Sequence, residues 1–237
     1  MHQHLMPSMP DYHLRIPRST QLLILLGAMG GILGIFLLWE NQPLLAILLL
    51  IFALLVGLIG AALFIVTNPQ GRARALQQMI HAVNWRGSEQ ILDVGCGNGI
   101  IMLAAAKHLT TGKATGIDIW VEGSGDQSAQ TLRQNAALEG VADRIDLQEV
   151  DARKMPFADA SFDVIFASLS LHHMGSKDDR QRAASEMLRV LKPGGSILIY
   201  DILPIANQVM HLLRDLGAGH VERLNGFLMR TVRIQKP

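Results

Sequence analysis

The sequence ILDVGCGNGII (Ile91–Ile101) sets one carboxylate and three glycines between two short apolar runs. Glycine permits backbone angles that other residues avoid and lets a ligand approach the main chain, because no Cβ is in the way. A strand that turns sharply into a helix also leaves the first N–H groups of the helix unpaired. We therefore predict a strand over 90–94, a loop over 95–99 with a cradle of free N–H groups for a ligand, and a helix over 100–109.

Strand and helix patterns alternate along the rest of this region. Predicted strands cover 90–94, 114–119, 144–150, 161–168 and 196–201, and predicted helices cover 72–83, 100–109, 127–138, 180–191 and 205–216. Such alternation implies right-handed crossovers and a parallel sheet covered on both faces. Asn225-Gly226 predicts a tight hairpin turn and a final antiparallel pair. The predicted fold is α/β, with a doubly wound, mostly parallel, seven-stranded sheet that binds ligands at the carboxyl ends of its strands.

The glycine loop departs from the dinucleotide-binding pattern GxGxxG, because Ile100 stands where the third glycine belongs. It reads DxGxGxG instead and resembles the class I S-adenosylmethionine-dependent methyltransferases of the type 11/25-like group. Four further segments agree in order, and they are GID ending at Asp118, VDARKMPF around Asp151, FDVIFASLSLHHM, and RVLKPGG followed by SILIYD. The resemblance covers about residues 88–201 and implies a Rossmann-like methyltransferase domain.

The resemblance implies that S-adenosylmethionine is the cofactor, S-adenosylhomocysteine the product, and that no metal is needed. Asp118 would bind both ribose hydroxyls, Ile119 would pack on the adenine, Asp151 would accept the adenine amino group, and the Ala152 N–H would serve a ring nitrogen. The implied cofactor-binding residues are Asp93, Gly95, Cys96, Gly97, Gly99, Asp118, Ile119, Asp151, Ala152 and Ser168. The segment WVEGSGDQSAQ after Ile119 is longer than the usual link, and its Trp120 either covers the adenine or shields the sheet edge.

Two adjacent histidines, His172 and His173, follow the fourth predicted strand. Methyl transfer mainly needs alignment and exclusion of water, but a hydroxyl acceptor also needs a base. We predict that one of the two is this base, with a preference for His173, and that Asp201 is a second polar candidate. The alternative is that the histidines form a substrate wall or plain polar surface. Enzymes of the family that this chain resembles hold a planar amine with Asn or Asp followed by Pro-Pro after the fourth strand, and the absence of this pattern here disfavours DNA bases and side-chain amides as acceptors.

Two uncharged stretches precede this domain, at 22–39 and 44–66. Each is long enough to cross a bilayer, which takes about 17–25 apolar residues. Arginines flank the outer ends of the pair and none lies in the turn between them, which predicts cytoplasmic termini and a cytoplasmic catalytic domain. The predicted organisation is a tail over 1–20, a transmembrane hairpin over 21–67, a linker with the first helix over 68–87, and the methyltransferase domain over 88–237. A cleaved signal peptide is the alternative, but its apolar core is shorter and no second apolar run follows it.

Composition limits the partners. The net charge is +1 and no long basic run is present, which argues against nucleic-acid binding. Cys96 is the single cysteine, which excludes an intramolecular disulfide and suits a reducing compartment. Small residues recur on both spans, at Gly27, Gly30, Gly31 and Gly34 and at Ala53, Gly57 and Ala61. They predict that the hairpin packs on itself, or alternatively that the chain forms a homodimer.

The sequence thus predicts a membrane-anchored methyltransferase with a small amphipathic or lipid acceptor and membrane lipids as neighbours. A non-enzymatic S-adenosylmethionine sensor or scaffold is the alternative. A nicotinamide-dependent oxidoreductase is disfavoured by Ile100 and by the C-terminal hairpin.

Overall fold

The computed structural model describes residues 17–120, 128–225 and 229–237. The chain divides into two compact units, one over His13–Arg74 and one that contains Ala75–Pro237. We describe each by itself.

The first unit consists mainly of two long apolar helices, α1 (Arg18–Trp39) and α2 (Pro43–Thr67). Both predicted spans lie within them. Most of their large apolar side chains are exposed, and Ile32 and Leu44 are 70% and 73% accessible. By length and composition, α1 and the helical stretch that begins at Pro43 could cross a membrane.

Glycines let these two helices approach each other closely. A Cβ on Gly27 would lie 3.1 Å from the backbone nitrogen of Gly57, and one on Gly30 would lie 3.2 Å from the Ala53 Cβ. The small residues therefore pack the hairpin on itself, as the sequence predicts. A homodimer through such faces stays a prediction.

The second unit is built on a seven-stranded sheet. Its strands are β1 (Gln90–Val94), β2 (Lys113–Asp118), β3 (Ile145–Glu149), β4 (Phe162–Ser168), β5 (Leu191–Ile202), β6 (Val221–Asn225) and β7 (Met229–Gln235). The helices are α3 (Pro69–His81), whose residues up to Arg74 belong to the first unit, α4 (Ile100–Ala106), α5 (Ala129–Leu138), α6 (Lys177–Val190) and α7 (Leu203–Asp215), and short 3-10 turns lie at Ala142–Arg144 and Leu171–His173. The strand order is β3-β2-β1-β4-β5-β7-β6. The first five strands are parallel, and β7 pairs antiparallel with both β5 and β6. This confirms the predicted doubly wound sheet.

The order reverses between β1 and β4, whose side chains Leu92, Ile165 and Phe166 are fully buried in the core. Ligands of such sheets bind outside the carboxyl ends of the strands at this switch point. The glycine loop follows β1 and the two histidines follow β4, so the fold brings both to this edge.

Most boundaries differ from the prediction by about one to three residues, and the start of β5 differs by about five. β5 begins at Leu191 because KPGG does not turn the chain away: Leu191 pairs with Phe162, the register then shifts, and Gly194 adopts φ +75°. α4 ends at Ala106 because the His108 and Leu109 N–H groups bond three residues back, to the Ala105 and Ala106 carbonyls, which tightens the last turn. The predicted hairpin turn falls partly on Gly226, which lies outside the described residues.

Candidate active site

The glycine loop owes its composition to its backbone angles. Gly95, Gly97 and Gly99 have φ values of +71°, +50° and +84°, which side chains rarely tolerate. A Cβ on Gly95 would also lie 2.3 Å from the Ser170 Cβ. Glycine at this position therefore lets the loop after β1 pack directly against the loop after β4.

Four N–H groups of this loop are already paired, so the predicted cradle of free N–H groups is not found at these four positions. The Gly95 and Cys96 N–H groups donate to the Ile117 carbonyl at 2.8 and 3.1 Å, and the Gly99 N–H donates to the Cys96 carbonyl at 2.7 Å. The Gly97 N–H donates to Asp118 Oδ2 at 2.8 Å. The loop is thus fastened to the end of β2, and a ligand has to be recognised chiefly by the groups around it.

Asp118 is placed to receive such a ligand. Besides the bond from Gly97, its Oδ1 accepts from the Trp120 N–H at 3.1 Å. A carboxylate has about four acceptor sites, so two remain for a pair of hydroxyls. The neighbouring Ile119 is 51% exposed, which leaves an apolar surface beside the carboxylate that a flat ring could cover. The Trp120 indole N–H lies 3.4 Å from the Gly97 carbonyl, so Trp120 contacts the glycine loop.

Asp93 is the second carboxylate of the site and is buried, with 1% of its surface exposed. Neither of its oxygens has a hydrogen-bond partner of normal geometry. Burial, and next the charge of Asp118, raise the pKa of Asp93 to about 8, and the Met102 backbone N–H offsets this only in part. A buried acid without partners favours a cation-bearing ligand, because the positive charge would compensate its ionised form.

Replacing Asp93 with asparagine should make the stability of the ligand-free protein less sensitive to a rise in pH from 6 to 8. The folded pKa of Asp93, about 8, lies above its ordinary value of 3.8, so its favourable contribution is complete below about pH 4 and is lost as the pH rises towards 8. The melting temperature of the detergent-solubilised full chain should fall between pH 6 and pH 8. Asp93→Asn should reduce that fall by about 2–4 °C for each kcal/mol of unfolding free energy that the wild type loses through ionisation of Asp93. Asp146→Asn, at a half-buried carboxylate of β3 that Gln148 contacts, is the matched control. An equal fall in wild type and Asp93→Asn would contradict the assignment.

Asp151 is held by an arginine that the sequence analysis missed. Arg153 donates to both Asp151 oxygens, with Nε at 3.0 and 2.9 Å and Nη2 at 2.6 Å. Its Nη1 reaches Asp179 Oδ1 at 3.0 Å. These contacts lower the pKa of Asp151, with the Arg153 hydrogen bond the largest cause. Arg153 therefore fixes an ionised acceptor at the position expected for the adenine amino group, and its spacing of two residues from Asp151 was the available signal.

The remaining predicted cofactor residues contribute in different ways. Ala152 is half-buried and packs against the core, and Ser168 is half-buried at the end of β4. Cys96 is buried, and burial raises the pKa of its thiol well above its ordinary value. The Cys96 side chain therefore serves packing, as a neutral thiol.

At the end of β5, Asp201 is fully buried and fastens the loop that carries the histidines. Its Oδ2 accepts from the Leu171 and His172 N–H groups at 3.1 and 3.2 Å, and its Oδ1 lies 2.8 Å from His172 Nδ1. Asp201 is fully buried and faces the histidine loop, and direct contact with an acceptor, as a second polar candidate, stays a prediction. The contacts of Asp201 with the His172 N–H and with His172 Nδ1 hold the ring of His172 in place.

Among the described contacts, the ring of His173 has no hydrogen bond to Asp201 like that of His172. Its ring lies 4.0 Å from that of His172, and burial, followed by the charge of His172, lowers its pKa. The geometry therefore favours His172 over the sequence-based preference for His173. Within residues 17–120, 128–225 and 229–237, no three His, Cys, Asp or Glu side chains group as metal ligands.

Comparisons with known proteins agree with this geometry. A family described as a methyltransferase domain matches residues 92–199. The 27-O-demethylrifamycin SV methyltransferase of Amycolatopsis mediterranei is 32% identical over 162 residues, 65% of this chain and 56% of that protein. The sterol 4-C-methyltransferase strm-1 of Caenorhabditis elegans is 37% identical over 143 residues, 57% of this chain and 40% of that protein. The chain thus spans about half the length of these relatives.

Among solved structures, the [4+2]-cyclase SpnF has a TM-score of 0.54 and 27% identity, covering 66% of this chain and 62% of that one. These matches support the predicted methyltransferase-type domain over the oxidoreductase alternative.

Proposed function

We propose that the chain is an S-adenosylmethionine-dependent methyltransferase that methylates a small amphipathic acceptor at a membrane surface, and the match of residues 92–199 to a methyltransferase domain supports this proposal. The observation that carries the proposal is the contact between the two halves of the site. Gly95, on the cofactor side, packs against Ser170, two residues before His172. A base and the cofactor loop are thereby held together at one edge of the sheet.

The residues present fit the cofactor. Asp118 would hold its ribose, Ile119 and Asp151 its adenine, and the buried Asp93 would compensate its positive charge. S-adenosylmethionine supplies an activated methyl group on a sulfonium. The chain has to place the acceptor in line with that group and keep water out.

His172 takes the acceptor's proton in this proposal. Asp201 is a carboxylate that accepts hydrogen bonds from N–H groups, so His172 Nδ1 carries a hydrogen and donates it to Asp201 Oδ1. The other ring nitrogen, Nε2, is then an acceptor and can remove a hydroxyl proton. Asp201 stabilises the imidazolium that results, as a positioning residue.

The membrane part of the proposal rests on the apolar helices α1 and α2. Their exposed aliphatic surface is suited to lipid, and the flanking arginines favour a cytoplasmic domain. An anchored active site suits an acceptor that partitions into the bilayer, such as a quinone precursor, a phenol or a lipid headgroup. Two relatives are named for methylation of a demethylrifamycin and of a sterol, which supports a small-molecule acceptor.

Reporter fusions test the topology. A reporter at Gln42, in the turn between α1 and α2, should give a signal from the far side of the membrane, and one at the C-terminus a cytoplasmic signal. Moving the first reporter to Asn68, after α2, is the matched control and should restore a cytoplasmic signal. Cytoplasmic signals at both Gln42 and Asn68 would contradict the hairpin.

Labelled methyl transfer tests the activity. The solubilised chain, supplied with methyl-labelled S-adenosylmethionine and a membrane lipid extract, should label an extractable product, and His172→Gln should not. SpnF, named as a cyclase, shares the fold, so fold alone does not fix the reaction. Cofactor binding without any labelled product would favour the scaffold alternative.

A further inference from the structure

We propose that Arg230 binds an anionic group of the acceptor, a carboxylate or a phosphate, beside the histidine that removes its proton. This inference rests on the proposed function, because it treats the edge next to His172 as the acceptor site.

The sheet places Arg230 opposite Asp201, the carboxylate that contacts the base. Arg230 is the second residue of β7 and lies directly opposite Asp201 on β5. Opposed residues of an antiparallel pair point to the same face, with Cβ atoms about 4.5–5.5 Å apart. Asp201 contacts His172 at 2.8 Å, so Arg230 starts from the same face and the same edge as the dyad.

The guanidinium of Arg230 is half-buried and has no carboxylate within ion-pairing distance among the described residues. Its one described partner is neutral, since Nη1 donates to Asn207 Oδ1 at 2.5 Å. An arginine has five N–H donors, and partly buried charges are normally paired. By contrast, Arg153 and Arg189 each bind two acidic side chains.

Arg230 reaches the start of α7, where Asn207 lies in the second turn of the helix. Asp201 lies just before this helix, but its two oxygens already accept the N–H groups of Leu171, His172 and Ile202. Among the described residues no carboxylate therefore pairs with Arg230 at this edge of the sheet, and a guanidinium binds carboxylates and phosphates through paired N–H bonds.

Paired acceptors test the proposal. The full chain, loaded with S-adenosylhomocysteine in neutral phosphatidylcholine nanodiscs, is titrated with a long-chain alkylphenol and with the same phenol carrying a ring carboxylate. Wild type should bind the carboxylated phenol about 10–100 times more tightly, the range for a hydrogen bond to a charged group. Arg230→Gln should remove that preference and leave binding of the neutral phenol unchanged.

Arg233→Gln is the matched control. Arg233 lies on the same strand, is also half-buried, and contacts the Ser196 hydroxyl towards the other end of β5, so this variant should keep the preference. A preserved preference in Arg230→Gln, or wild type binding neither phenol, would overturn the proposal. Melting curves identify a variant that fails to fold, in which case Arg230→Lys, which keeps charge but loses the paired geometry, should show a partial loss.

Two further measurements complete the test. The first identifies the source of the anion, and the second distinguishes failure of the anion site from failure of the proposed function. If the anion is a lipid headgroup, phosphatidylglycerol in the nanodisc should compete with the carboxylated phenol in wild type and not in Arg230→Gln; without competition, the anion is a soluble acceptor's own. If binding depends on Arg230 but no methyl transfer follows with S-adenosylmethionine, the proposed function fails while the anion site stands.

Discussion

Replacing His172 with glutamine should slow methyl transfer to a hydroxyl acceptor by about 10²–10⁴-fold, the usual contribution of a positioned general base. Cofactor affinity should stay unchanged, because His172 belongs to the loop after β4 and not to the residues that would hold the cofactor. The expected loss follows from the 2.8 Å contact of His172 Nδ1 with Asp201, which leaves Nε2 as the free acceptor. Initial rates at saturating cofactor, together with titrations of S-adenosylhomocysteine, measure both quantities.

His173→Gln is the matched control, since this ring lies 4.0 Å away and lacks the Asp201 contact. Its rate should fall much less than that of His172→Gln. If His173→Gln is the slower variant, or if neither loses activity, His172 is not the base.

The positioning role of Asp201 is tested by combining variants. Asp201→Asn should slow transfer in the presence of His172 but add little in the His172→Gln background, since residues that act as a unit are not additive. A purely structural role for Asp201 would make the two losses multiply. Because Asp201 also accepts backbone N–H bonds from Leu171 and His172, melting curves must accompany the rates.

Asp118→Ala should weaken cofactor binding by at least about 100-fold. The carboxylate has two acceptor sites left for hydroxyls, and each hydrogen bond to a charged group contributes about 1.5–3 kcal/mol, where about 1.4 kcal/mol is a factor of ten. The variant also removes the carboxylate that accepts the Gly97 and Trp120 N–H groups in the wild type. Asp146→Ala, a carboxylate on the neighbouring strand β3 away from the loop, should bind the cofactor normally. Wild-type affinity in Asp118→Ala would exclude Asp118 from the cofactor site.

The sequence predicted the sheet well because its signals are local. Apolar runs with the right period end at glycines or acidic residues, and β1 matches its predicted range to the residue. Where the prediction missed, tertiary contacts decide. The KPGG segment has the composition of a turn, but pairing of Leu191 with Phe162 extends β5 through it.

The site was harder to predict than the fold. Three glycines indicated a ligand loop, but the sequence could not show that their N–H groups bond to Ile117, Asp118 and Cys96. It also could not distinguish two adjacent histidines, because only the fold brings Asp201, 29 residues away, to His172.

Long-range partners of this kind account for the other surprises as well. Arg153 bridges Asp151 to Asp179 on α6, and Arg230 meets Asn207 on α7. Neither pairing leaves a periodic pattern in the sequence, so only the folded structure reveals them.

The most direct test of the account is calorimetric titration of the solubilised full chain with S-adenosylmethionine, S-adenosylhomocysteine and NAD, beside Asp118→Ala. We expect the first two to bind wild type and not the variant, and each to stabilise the fold by about 2.7 kcal/mol at a concentration 100 times its dissociation constant. Binding of NAD alone, or of none of the three, would contradict the assignment of the glycine loop to S-adenosylmethionine.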